Sequence, residues 1–190
     1  MKKIILSVVA ITIIMVSCNQ KNKQEETVNS EINKPEPETT TVKVNPNSFS
    51  IKEIVTDYLS LKNALTKDDS NASADAGKAM VETLEKIDMK KLSGEQMKIY
   101  MDIADDLKEH AEHIGDNGGN IAHQREHFVL MSKDINDLIK TFGTEQKLYQ
   151  DFCPMADEGK GAIWISELKD IKNPYFGSEM LTCGSVRKEF

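Results

Sequence analysis

Between Ile51 and Phe142 apolar residues recur at steps of three and four, and this periodicity limits the fold more than any other feature of the chain. It fits amphipathic helices and not strands, whose side chains alternate with a period of two. Four segments carry it. Ser50 and Glu53 have the spacing of a capping box and open a helix with Ile51, Ile54, Val55, Tyr58, Leu61 and Leu65. "NASADAGKAMVETLEKID" places Ala76, Met80, Leu84 and Ile87 in the same way and ends near Asp88. Ser93 and Gln96 repeat the cap signature before Met97, Tyr100, Met101, Ala104, Leu107, Ala111 and Ile114. "IGDNGGN" then breaks the pattern, with Gly115 in the place of a C-cap and Asn120 in that of the next N-cap. The fourth helix carries Ile121, Phe128, Met131, Ile135, Leu138 and Phe142, and Gly143 stops it. Four such helices with short connections predict a mainly α fold, an antiparallel four-helix bundle.

The residues after Gly143 change character. "KLYQDFC" and "GAIWIS" are rich in aromatic and β-branched residues, with "ADEGKG" between them as turn material. They predict a small C-terminal β-hairpin, followed by a turn at "NPYFG" in an irregular tail. No internal repeat is evident.

The N-terminus sets the expected compartment. Lys2 and Lys3 precede an apolar run from Ile4 to Val16, then Ser17 and Cys18. These are the parts of a secretory signal, and the run is shorter than the roughly 20 apolar residues of a membrane span. "MVSC" resembles the lipobox of bacterial lipoproteins, with Met15 where leucine is commoner. That resemblance implies a lipoprotein signal peptide over 1–17, with lipidation of Cys18 and a membrane link through the lipid. An ordinary secretory leader that contains a cysteine is the plain alternative. Residues 18–47 hold no aromatic residue and are dominated by Asn, Lys, Glu, Thr and Pro. Such a segment cannot bury enough apolar surface to offset its ordering entropy, so it is expected to be a disordered tether. The folded domain is then 48–190, roughly 140 residues, enough for one core.

Charge narrows the partners. The formal net charge is -7, and loss of Lys2 and Lys3 with the signal takes it to -9. With no basic face, nucleic acid is not an expected partner.

All four histidines lie close together in sequence: His110 and His113 near the end of the third helix, His123 and His127 in the first turns of the fourth. The i,i+3 and i,i+4 spacings bring each pair to one side of its helix, and both pairs flank one connection. Paired histidines on facing helices suit a metal ion. Surface histidines also reach these spacings by chance, and His113 falls on the side away from the apolar stripe. His127, a neighbour of Met131 on the helix surface, is the best candidate of the four.

A second constellation is sulfur-rich. Cys153 and Met155 form Cys-x-Met, and Met180 and Cys183 form Met-x-x-Cys. Thiolates and thioethers suit Cu(I), whereas zinc sites use Cys and His without Met. A disulfide between Cys153 and Cys183 is the competing reading, since two cysteines in an oxidising compartment usually pair. Closing a loop of about thirty residues would stabilise the domain by about 3–4 kcal/mol in the chain-entropy model. Met80, Met97 and Met101 sit at helix-core positions and are expected to be packing. There is no glycine-rich phosphate loop, no Gly-x-Ser-x-Gly, no His-Glu-x-x-His and no Cys-x-x-Cys. The chain is therefore not expected to be an enzyme.

"HQREHFVLMSKDINDLIKTFG" followed by "LYQDFCPMADEGKGAIWISELKDIKNPYFGSEMLTCG" resembles an uncharacterised bacterial periplasmic family, a domain of unknown function. Its members occur alone with a signal sequence, or joined to periplasmic adaptor subunits of heavy-metal efflux pumps. The resemblance runs from Ser48 to about Val186. Its most specific residues are Cys153, Pro154, Met155, Ala156, Gly161, Trp164, Ser166, Asn173 to Gly177, Met180, Cys183 and Gly184. It implies a link with export of copper or another heavy metal. The resulting expectation is a lipid-anchored envelope protein that binds Cu(I) or a similar soft ion, for buffering or hand-over to an efflux system. Cys153, Met155, Met180 and Cys183 would be its ligands, with His127 a lesser one. The rival expectation is a non-catalytic helical module, stapled by a disulfide, that binds a protein partner.

Overall fold

The computed structural model describes residues 49–190. The expected signal peptide (1–17), its lipidation site Cys18 and the tether (18–47) lie outside the described residues. Four helices come first: α1 (Lys52–Leu65), α2 (Ser70–Lys86), α3 (Gly94–Asp116) and α4 (Ile121–Phe142). Three short strands follow, β1 (Tyr149–Cys153), β2 (Ala162–Ser166) and β3 (Ser185–Glu189). The fold is mainly helical, with a small antiparallel sheet at the C-terminus in the order β2-β1-β3. Among the described residues no helix is long and apolar enough to cross a membrane.

Local chemistry accounts for most helix boundaries. The Ser93 side chain accepts from the Gln96 N–H while the Gln96 side chain accepts from the Ser93 N–H, completing the capping box that opens α3. Asp69 caps α2 through the Ala72 N–H, at 2.9 Å. Asn120 caps α4 through the His123 N–H, and Gly143 ends that helix at φ +79°.

Two expected caps are corrected. At the start of α1, Ile51 and not Ser50 is the N-cap, and its side chain makes no capping bond. The Ser50 hydroxyl accepts from the Lys52 N–H at 3.2 Å and donates to Glu145 at 2.9 Å, beyond the end of α4, so it ties the first turn to a distant segment and closes no capping box with Glu53. Gly115 is inside α3, which runs to Asp116 and is capped by Asn117. The absence of a side chain there serves packing. A Cβ on Gly115 would lie 3.0 Å from Lys78 Cγ, and one on Gly77 would lie 2.8 Å from the Ala111 carbonyl oxygen. The paired glycines let α2 and α3 approach backbone to backbone.

The core is built from the predicted apolar faces. Ile54, Tyr58, Leu61, Leu65, Met80, Leu107, Ile114, Phe128, Met131, Ile135 and Leu138 are fully buried. Met101 is the exception at 47% exposure. Its neighbour Tyr100 is the residue that turns inward, packing edge-on against Phe49 and Phe142.

The sheet is fastened to the helices by polar as well as apolar contacts. The rings of Tyr58 and Phe128 stack at 5.2 Å. The Tyr58 hydroxyl bonds Ser132 at 2.8 Å and accepts from the Ile165 N–H of β2 at 3.0 Å. Tyr175 donates to the Ile163 carbonyl and packs edge-on against Trp164. Lys62, wholly buried in α1, reaches Glu167 just past β2 at 2.8 Å. β3 adds a third strand where a two-stranded hairpin is expected. Its residues are exposed throughout, so backbone pairing with β1 and not a buried face places it.

Candidate metal centre

The connection between α3 and α4 is three side-chain anchors deep. Asn117 Nδ2 donates to the His113 carbonyl at 2.8 Å, satisfying the end of α3. The Gly119 N–H donates to Ser70 Oγ at the start of α2. Gln124, buried, donates from Nε2 to the carbonyls of Ser70 (2.9 Å) and Ile114 (3.1 Å). Buried amides with both carbonyls satisfied hold the helix ends in one register. That register determines where the histidines meet.

Three imidazoles converge there, and the fourth, His110, stands beside one of them. The His127 ring lies at the centre, stacked on His113 at 4.2 Å between centroids and 6° between planes. It meets His123 edge-on at 4.7 Å and His110 at 5.5 Å. His113, His123 and His127 each offer a ring nitrogen such that these atoms all lie within 4.8 Å of one another. Among the described residues they are the one group of three or more His, Cys, Asp or Glu side chains so arranged. His110 Nδ1 is 3.3 Å from His127 Nδ1.

The electrostatics favour neutral rings with free lone pairs. Burial, reinforced by the neighbouring histidines, holds His127 below the usual imidazole range. Burial also lowers His110, against the pull of Glu109 and Asp106. Neutral imidazole is the ligating form. Carboxylates surround the rings: Glu126 Oε2 lies 3.3 Å from His123 Nδ1, and Asp134 Oδ2 lies 3.9 Å from His110 Nε2. Burial, with Asp106 and Asp137 nearby, pushes the Asp134 carboxyl up to about 7.

The sulfur residues occupy another part of the fold. Cys153 closes β1 and is fully buried, and Cys183 precedes β3. Their Sγ atoms lie 2.9 Å apart as two thiols. The chain reverses closely behind Cys183: Gly184 sits at φ +142°, and a Cβ there would be 2.7 Å from Trp164 Cη2. Proximity to Cys153 pushes the Cys183 thiol up, away from the thiolate form. Met155 stands 55% exposed on the turn after β1, and Met180 is half-buried. The structure thus brings Cys153 and Cys183 together, and it places His127 with the other histidines. His110, His113 and His123 join His127 through the two spacings across one short connection, a signal visible in the chain. Asp134 carried no such signal, because the group it faces, His110, is on α3 and is not marked by the sequence of α4.

Residues 54–147 match the model of a family described as "Protein of unknown function (DUF3347)". The match spans most of α1 and all of α2, α3 and α4, and so includes every histidine. The tail with Cys153 and Cys183, where the sequence resemblance is most specific, lies outside it. No curated protein and no solved structure matches the chain.

Proposed function

We propose that this chain, which over residues 54–147 belongs to the family of unknown function DUF3347, binds a late first-row transition-metal ion, copper foremost, in its histidine cluster. The observation that carries the reading is the convergence of His113, His123 and His127, with their nitrogens within 4.8 Å. Imidazole suits copper and zinc, and Cu²⁺ leads the affinity order of the divalent ions. Cu(I) is satisfied by two or three such donors. The ion is cargo and the protein is a binding protein, not an enzyme. We read the four helices as an antiparallel bundle whose α3–α4 end presents the site. Anchored through Cys18 in the cell envelope, the chain buffers the ion or hands it to a heavy-metal efflux system.

A second reading rests on the thiols. With Sγ atoms 2.9 Å apart, Cys153 and Cys183 hold a soft Cu(I) ion when reduced, with Met155 and Met180 as neutral donors. When oxidised they staple the tail. One experiment separates the two: competitive Cu(I) and Cu(II) titration of the full chain in detergent, before and after reduction. His127→Ala and the Cys153→Ser/Cys183→Ser double variant accompany it. The histidine reading predicts one ion per chain in either redox state, weakened by His127→Ala and untouched by the double serine variant. Affinity that appears only on reduction and vanishes with the serines would move the site to the thiols.

A further inference from the structure

We propose that the ion is enclosed by four imidazoles, with His110 as the fourth ligand and Asp134 as the carboxylate that orients it. This rests on the metal reading above and settles what kind of site it is. Three protein ligands and an open position would leave room for an activated water, whereas four close the shell and make a holding site.

The geometry for His110 comes from both sides of its ring. Four nitrogens about 2.0–2.1 Å from a tetrahedrally bound ion lie about 3.3–3.4 Å from one another. His110 Nδ1 and His127 Nδ1 are already 3.3 Å apart, the length of such an edge, while His110 lies outside the group of three whose nitrogens are within 4.8 Å, so its ring must move towards His113 and His123 to close the shell. On the far side of the ring, His110 Nε2 faces Asp134 Oδ2 at 3.9 Å. That oxygen is buried and has no hydrogen-bond partner among the described residues. An unpartnered buried acceptor is costly, and the His110 Nε2–H, 3.9 Å away, is a donor that can reach it.

The two contacts specify one tautomer. With the proton on Nε2, directed at Asp134, the Nδ1 lone pair is left facing His127 and the ion. A carboxylate behind a ligating histidine fixes the ring and raises its basicity. Closing 3.9 Å to hydrogen-bond length takes about 1 Å of side-chain movement. Glu126 stands behind His123 in the same relation, 3.3 Å from its Nδ1, which leaves Nε2 for the ion. Two of the four ligands therefore have an acid behind them, and both acids sit on α4.

The test replaces the ion with Co(II), whose visible bands report geometry, and adds azide as a probe for an open position. In the full wild-type chain the bands are those of a tetrahedral nitrogen site and azide leaves them unchanged. His110→Ala weakens Co(II) binding at least tenfold and makes the bands respond to azide. Asp134→Leu weakens binding by about 10–100-fold while leaving the melting temperature of the metal-free protein unchanged or higher, since a buried orphan carboxylate is gone. Asp134→Asn, which keeps an acceptor oxygen, restores most of the affinity. A merely structural role for Asp134 would lower affinity and stability together and overturn the assignment. Azide binding by the wild type, or wild-type affinity in His110→Ala, overturns the fourth ligand while leaving the metal reading intact. A wild-type chain that takes up neither Co(II) nor copper overturns both.

Discussion

Replacing Gly77 by alanine should destabilise the domain, against the usual preference of helices for alanine. In a helix interior the exchange favours the folded state by about 1 kcal/mol. Here a Cβ would stand 2.8 Å from the Ala111 carbonyl oxygen, 2.9 Å from the Gly115 nitrogen and 3.2 Å from Ile114 Cγ2. The first two are backbone atoms of α3, so no side chain can rotate away and the helices must separate by about half an ångström. Overpacking of this kind costs about 1–3 kcal/mol, and with two backbone contacts the upper part of that range applies. The net loss is then about 1–2 kcal/mol. At about 2.1 cal/mol/K per residue of unfolding entropy, this lowers the melting temperature by about 3–7 °C for a domain of this size. Gly94→Ala is the control, since nothing lies within 4 Å of its Cβ position; it should be neutral or slightly stabilising. The displaced stretch of α3 also carries His110 and His113, so copper affinity should fall in Gly77→Ala and not in Gly94→Ala. Calorimetry and metal titration of the two variants read both effects. A Gly77→Ala protein as stable as the wild type would refute the close approach of α2 and α3.

Two further predictions concern buried groups in the tail. Asp151 is buried in β1 with neither carboxylate oxygen partnered among the described residues, and burial pushes its carboxyl up to about 6 against the pull of Lys62. A carboxyl whose folded value is raised binds its proton more tightly when folded, so stability is full below about pH 4 and declines as pH rises towards 6. Asp151→Asn should therefore be more stable than wild type by roughly 1–3 kcal/mol at pH 7.5 and about equal at pH 4; urea unfolding at the two values checks this, and an equal change at both would contradict it. Oxidation of the Cys153–Cys183 pair closes a loop with a sequence separation of 30 and should stabilise the domain by about 3–4 kcal/mol. Reductant should then lower the melting temperature by about 10 °C, and the Cys153→Ser/Cys183→Ser variant should no longer respond to it.

What the chain discloses in advance follows the range of the interactions involved. Ser93 with Gln96, Asn120 and Gly143 act on their own helices within a few residues, and each does what its local pattern implies. Ser50 and Gly115 have the same local credentials, but α1 starts one residue later with Ser50 also bonded to distant Glu145, and the backbone of α2 approaches Gly115. β3 is polar and exposed on both faces, so no alternation marks it, and only its pairing with β1 makes it a strand. The buried charges Lys62 and Asp151 are invisible for the same reason. A helical wheel places His113 away from the apolar stripe, and it is indeed exposed. The wheel refers each residue to its own helix, however. The stacking of His113 on His127 depends on how α3 and α4 are set against each other, which Gln124, Ser70 and Asn117 decide.

X-ray absorption at the copper edge of the loaded full chain tests the central claim most directly, because it counts the atoms bound to the ion. The account predicts a first shell of nitrogen alone at about 2.0 Å, with the outer-shell scattering of several imidazole rings and the same spectrum in the double cysteine variant. A sulfur shell at about 2.2–2.3 Å that disappears with Cys153 and Cys183 would contradict it, and would place the ion on the thiols instead.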